Sequence, residues 1–199
     1  MKRLLILLLW IPFVATAQKQ MDYDPDKIRI TEPDKTIIAH TTTDKADANY
    51  RDRLYYWYGS NTIHQTQGSF SGKLLNGQYQ EFYPNKNLHE QGKFKKGLKH
   101  GVWQSWNEQG GLKEHTTWKE GQKAGYFELF NNNGQLLKSG TYKNNVLNGK
   151  ISNYKGTDSV QTVKYKAGKL VIADTSKTSL WQRVKHFRFK KKKNVQATR

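Results

Sequence analysis

The stretch GVWQSWNEQGGLKEHTTWKEGQKA, residues 101–124, decides the fold, because the chain repeats its pattern five times. Units starting at Arg53, Gly77, Gly101, Gly125 and Gly149 follow one another at 24 residues, with like residue types at like offsets. Two residues into each unit stand Tyr55, Tyr79, Trp103, Phe127 and Ile151; five in stand Tyr58, Phe82, Trp106, Phe130 and Tyr154. Eleven in are Leu88, Leu112, Leu136 and Val160, with His64 in the first unit. Fifteen in are Gly68, Gly92 and Gly140, with Thr116 and Lys164 breaking the pattern; seventeen in are Phe70, Phe94, Trp118 and Tyr142. A fixed period of this length is the signature of a repeat architecture.

Each unit reads as two strands and two turns. Leu88, Glu90, Gly92 and Phe94 alternate with polar residues at the period of a strand, and Leu112 to Trp118 and Leu136 to Tyr142 repeat that phase. Residues 84–87, 107–110 and 131–134 are turn-forming and occupy equivalent places, while residues 96–101 and 120–125 join one unit to the next. The expected fold is all-β: a meandering antiparallel sheet of five 24-residue β-hairpin repeats, ending in a short basic C-terminal helix. The first strand leaves one question open. Its two aromatics lie three residues apart, so either a bulge brings them together or each sheet face carries a row of rings. The glycine fifteen residues in has a plain reading, since a missing side chain lets a neighbouring ring lie across the strand.

Outside the repeats, residues 1–17 read as a secretory signal peptide: Lys2 and Arg3, an apolar run of residues 4–14, then Ala15-Thr16-Ala17 as a cleavage site. The run is too short to span a bilayer, so export to the periplasm, the envelope or the medium is expected. Residues 18–52 form an acidic, polar leader, in which residues 28–30 or 36–39 could supply an edge strand but composition favours weak order. Asp22, Asp24 and Asp26 have the spacing of a calcium-loop start without its glycine and closing glutamate, so calcium is not expected. Residues 53–170 are the repeat domain. In residues 171–199, Thr178 or Ser179 could cap a helix with Leu180, Trp181, Val184 and Phe187 on one face. Such a helix could close the edge of the last repeat. It could equally adhere to an anionic surface through Arg183, Lys185, Arg188, Lys190, Lys191, Lys192 and Lys193.

The formal net charge is +18, of which residues 54–170 carry +9 and residues 171–199 carry +8. That favours anionic partners without naming one. There is no cysteine, which excludes disulfides, thiolate metal sites and cysteine nucleophiles. No catalytic motif survives inspection: Gly68-Ser69-Phe70-Ser71-Gly72 has phenylalanine where a nucleophile elbow needs serine, and the six histidines fall at scattered offsets. Neither an enzyme, nor a metal, nor another cofactor is expected. Aromatics interleaved with lysines also describe a single-strand nucleic-acid platform, but rings that recur at the repeat period are first of all packing material.

Carried by Gly77, Trp103, Trp106, Gly110, Leu112, Gly121 and Gly125 and their counterparts, the pattern resembles the bacterial variant of the MORN repeat, found in proteins labelled YwqK-type antitoxins. The resemblance covers residues 53–170 and implies a meander of hairpins that binds proteins or lipids. A cytoplasmic antitoxin has no use for a signal peptide. The expectation is therefore an exported, non-enzymatic binding or scaffold protein of a bacterial envelope, with a protein, glycan or lipid partner. Adhesion through the basic tail and an antitoxin- or immunity-like role are the alternatives. The candidate binding surface is the set of repeat aromatics Tyr79, Phe82, Phe94, Trp103, Trp106, Trp118, Phe127, Phe130, Tyr142 and Tyr154, spaced by Gly77, Gly101, Gly125 and Gly149.

Overall fold

Turn chemistry comes first. The pairs Ser60-Asn61, Lys96-Gly97, Glu120-Gly121, Asn144-Asn145 and Ala167-Gly168 all have positive φ at both residues, from 46° to 83°. Two such residues in succession make the tight hairpin turn whose twist matches that of its strands. The longer turns close on a side chain: the Asn107 Oδ1 accepts the backbone N–H of Gln109 and Gly111, and the Asn131 Oδ1 accepts those of Asn133 and Gln135. The computed structural model describes residues 24–47, 50–156 and 159–172, and these turns cut them into strands alone.

The strands are β1 (Lys27–Thr31), β2 (Thr36–Thr42), β3 (Leu54–Gly59), β4 (Thr62–Gln67), β5 (Lys73–Phe82), β6 (Leu88–Lys95) and β7 (Leu98–Trp106). They continue as β8 (Leu112–Lys119), β9 (Gln122–Phe130), β10 (Leu136–Lys143), β11 (Val146–Leu147), β12 (Gly149–Lys155), β13 (Ser159–Lys166) and β14 (Lys169–Val171). All belong to one open antiparallel sheet in the order β1-β2-β5-β6-β7-β8-β9-β10-β12-β13-β14, a meander of repeat-like hairpins.

The core lies on one face, here called inner, as a row that alternates large and small. Register pairs Ala39 with Tyr79, Tyr79 with Gly92, Trp103 with Thr116, Thr116 with Phe127, and Phe127 with Gly140. From the second unit on, the residues two in supply the large members: Tyr79, Trp103, Phe127 and Ile151 are 7%, 3%, 1% and 0% exposed, while Tyr55 of the first unit is buried in a separate cluster with Leu74 and Leu98. Those fifteen in supply the small ones. A Cβ on Gly92 would run into the Trp103 indole, and one on Gly140 into Ile151. Thr116, which breaks the glycine pattern, is still small enough for the row and is buried. Phe94 packs edge-on against Tyr79 and Trp103, with centroids 5.4 Å and 4.9 Å apart, contacts worth about 0.5–1.5 kcal/mol each beyond area. The buried indole N–H of Trp103 is satisfied by the carbonyl of Lys93 at 3.1 Å.

The sheet then folds on itself. At Gly77, Gly101 and Gly125 the register slips by two residues, and φ there is +102°, +71° and +102°. Only glycine adopts such backbone freely. The strand segments ahead of these glycines form a second rail, tied from unit to unit by Gly97 N–H to Leu75 O, Gly121 N–H to Lys99 O and Asn145 N–H to Lys123 O, at 2.7–3.0 Å.

Three features depart from expectation. First, the alternation Leu88, Glu90, Gly92, Phe94 does not stay on one face: a bulge at His89 leaves Glu90 opposite Glu81 but Leu88 opposite Phe82. The same slip recurs at Lys113 and Leu137. Strand β5 itself pairs with β2 without a shift from Tyr79 to Phe82, the extra residue against β6 lying on β6, so each face carries a row of rings. Second, residues 24–47 of the leader contain the hairpin β1–β2, with Ile30, Ile37, Ala39 and Thr41 buried. Its described aspartates stand outside the strands, and Asp47 pairs with the repeat lysines Lys96 at 2.6 Å and Lys95 at 3.4 Å, which is why composition hides the strands. Third, β2 takes the place beside β5, and the first unit's hairpin β3–β4 meets β5 only at Trp57–Leu74 and Tyr58–Lys73. Tyr56, Tyr58 and Ile63 of that hairpin pack on the inner-face core. The signal peptide and the basic C-terminal helix expected from the sequence lie outside the described residues.

Candidate binding surface

The fold at the glycines lays lysines over rings. Lys99, ahead of Gly101, has its ammonium 3.8 Å from the Trp103 centroid, 5.4 Å from that of Trp118 and 5.9 Å from that of Tyr56, and it donates to Glu90 Oε1 at 2.7 Å. One unit on, Lys123 lies 5.6 Å from Trp118 and 5.5 Å from Tyr142 and donates to Glu114 Oε1 at 2.9 Å. The result is an internal ladder in which each cation sits between successive rings, an arrangement favourable by about 0.5–2 kcal/mol per contact when shielded from water. Burial, and then the charge of Glu90, push the Tyr56 phenol up to about 12. Burial alone would raise Glu114, but hydrogen bonds from Thr116 and Lys123 outweigh it and hold the carboxyl below its usual value. Glu81 is held low in the same way by Tyr79 and His89. Beside this ladder a cleft of about 210 Å³ opens between Tyr56 and Trp118, rimmed by Asp52, Leu54 and Asn145.

The other face, here called outer, has no described strand laid over it. Its rings come from the residues five into each unit: Phe82 pairs with Leu88, Trp106 with Leu112, Phe130 with Leu136 and Tyr154 with Val160. The four rings are half-buried. They recur on every second strand, which at the usual strand separation places them about 10 Å apart. Two residues along each strand runs a parallel row of polar side chains in unbroken register. Gln80 pairs with Gln91, Gln91 with Gln104, Gln104 with His115, His115 with Glu128, Glu128 with Ser139, Ser139 with Ser152 and Ser152 with Thr162. Within it the Gln91 amide donates to the Gln104 carbonyl at 3.2 Å, and Ser139 meets the Tyr154 hydroxyl at 3.2 Å.

The candidate aromatics therefore divide. Tyr79, Phe94, Trp103 and Phe127 are interior and hold the sheet together. Trp118 and Tyr142 are half-buried beside the lysine ladder, and Phe82, Trp106, Phe130 and Tyr154 form the outer row. Gly77, Gly101, Gly125 and Gly149 make the fold line, all with positive φ. The polar outer row was missed in the sequence because its members share offsets of three and fourteen, thirteen for Thr162 of the last unit, but not a residue type. Constant offset was the signal; variable chemistry concealed it. Among the described residues no group of three or more His, Asp or Glu side chains is arranged to hold a metal ion. No protein-family model, curated protein or solved structure matches the chain.

Proposed function

We propose that this chain is an exported, non-enzymatic β-repeat protein of the bacterial cell envelope, a variant of the bacterial MORN repeat built from five 24-residue hairpin units, and that it acts as a binding platform or scaffold. The observation that carries the reading is the coincidence of period and surface: one sequence unit spans two strands, so each unit from Gly77 onward adds one outer ring and one pair of polar side chains at like positions of a continuous sheet. Repetition of this kind builds an extended contact surface, the common use of repeat folds. Export rests on the signal-peptide pattern of residues 1–17.

The test is fractionation followed by capture. Residues 1–199 expressed in a bacterial host are expected in the envelope or medium without residues 1–17, and immobilised residues 18–199 are expected to retain an envelope component. A version ending at Ile172 is expected to retain it equally. Cytoplasmic retention of the uncut chain would sink the reading. A second reading is favoured by the +8 charge of residues 171–199: adhesion to anionic lipid through the tail. It predicts that capture disappears with residues 173–199 and that binding to anionic vesicles falls steeply as salt rises.

A further inference from the structure

We infer that the outer face is a binding site for a single extended chain of an uncharged, β-linked polysaccharide, running across the strands; this rests on the binding reading above and names its ligand class.

Three observations converge on that ligand. The first is spacing. Phe82, Trp106, Phe130 and Tyr154 stand on alternate strands, about 10 Å apart. An extended β-linked hexose chain presents the same apolar CH face at every second sugar, so a chain laid along the row meets a ring at each such sugar. The second is the polar row beside the rings. Hydroxyls need donors and acceptors in a line parallel to the stacking face, and Gln80, Gln91, Gln104 and Ser152 supply amides and a hydroxyl in that line. The single amide contact between Gln91 and Gln104 leaves donors and acceptors on both side chains for a ligand. The third is charge. In a chain of net charge +18, Glu128 is the one formal charge in either row. Nucleic acid or anionic lipid would demand lysines there; a neutral polyol does not. The two rows are complementary to a ligand that carries hydroxyls, and the lysines of this face, Lys93, Lys150 and Lys164, stand two residues further along their strands.

The sheet also restricts the form of the ligand. Successive strands rotate by roughly 20–25°, so rings two strands apart are turned by about 45° to one another. A flat crystalline surface cannot lie on such a row, whereas a single chain in solution twists to follow it.

The experiment uses residues 18–199 and isothermal titration with soluble cello- and chito-oligosaccharides from the disaccharide to the hexasaccharide. Affinity is expected to rise stepwise as the oligomer becomes long enough to reach a second and then a third ring, with little retention on crystalline cellulose or chitin. Trp106→Ala and Phe130→Ala are each expected to weaken the longest oligomer about tenfold, as for the loss of one anchoring ring. Gln91→Leu with Gln104→Leu, which leaves the rings in place, is expected to do the same with an unchanged melting temperature. Trp118→Ala, on the inner face, is expected to leave affinity unchanged. Binding independent of oligomer length, or insensitive to both the ring and the glutamine variants, overturns the inference. No binding to any oligosaccharide, with capture of an envelope component intact, overturns the glycan ligand and leaves the platform reading standing. Loss of both removes the two together.

Discussion

The residues two and five into each repeat are the same kind of residue at the same period, yet they lead opposite lives. Tyr79, Trp103 and Phe127 are interior, each facing a glycine or threonine on the next strand. Phe82, Trp106 and Phe130 lie on the outer face beside leucines, half open to solvent. Three residues along a strand separate the two sets, and an odd step reverses the face. What distinguishes interior from surface in this protein is thus not hydrophobicity but the partner that register supplies. A small neighbour lets an inner ring sink into the sheet, and Lys99 of the second rail lies over that of Trp103. A leucine neighbour leaves an outer ring half-buried on the opposite face.

Truncating one ring from each row tests the contrast most severely. Trp103→Ala should lower unfolding free energy by about 3–5 kcal/mol, the range for a buried large aromatic, whereas Trp106→Ala should cost roughly 1–2 kcal/mol in keeping with its partial burial. Urea denaturation of both variants decides it, and equal losses would mean that the outer row is core as well. Next comes the small partner. Gly92→Ala should destabilise by about 1–3 kcal/mol through overpacking against Trp103. Gly110→Ala, with φ +84° but open space around it, should cost only about 1–2 kcal/mol of backbone strain. If Gly92→Ala proved neutral, the large-small pairing would not be what seats the inner rings.

The lysine ladder sharpens the contrast further. Lys99→Met should lower the urea midpoint more than Lys123→Met, with the former near 1 kcal/mol, because the Lys99 side chain is 12% exposed against 30% for Lys123. Indistinguishable midpoints would make the ladder a surface decoration. The smallest effect is expected with pH. Glu81 and Glu114 both ionise below the ordinary value of 4.5 in the folded chain. Between the folded and unfolded values the unfolded state binds more protons, so the stability these groups contribute is complete above about 4.5 and is lost as pH falls through the lower folded values. Glu114→Gln should be less stable than the parent at neutral pH and lose less on acidification. A parallel decline in the two would show that Glu114 does not contribute to the acid transition.

Legibility in the sequence followed the physics of each feature. The five sets of aromatics, the turn residues and the glycines at the fold line were readable because each answers to a local rule: period, positive φ, or a tight hairpin. The bulge at His89 was not, since it moves Leu88 to the opposite face without any residue that demands a bulge. The place of the leader was not readable either. Ile30, Ile37 and Ala39 form strands because β5 offers a free edge and Lys95 and Lys96 offer partners to Asp47. The displaced first unit left a trace in advance, with Arg53 in the glycine position and His64 in the leucine position. Nothing local said where its hairpin would go.

Periodicity alone therefore determined that this chain is a β-meander, how many units it writes, and which residue types recur, because those depend on interactions within a few residues. Register across the sheet decided which rings are interior, which polar side chains form a line, and which strand sits beside β5. Those choices are made by pairing between distant segments. A slip of one residue there exchanges the two faces without changing a single letter of the repeat.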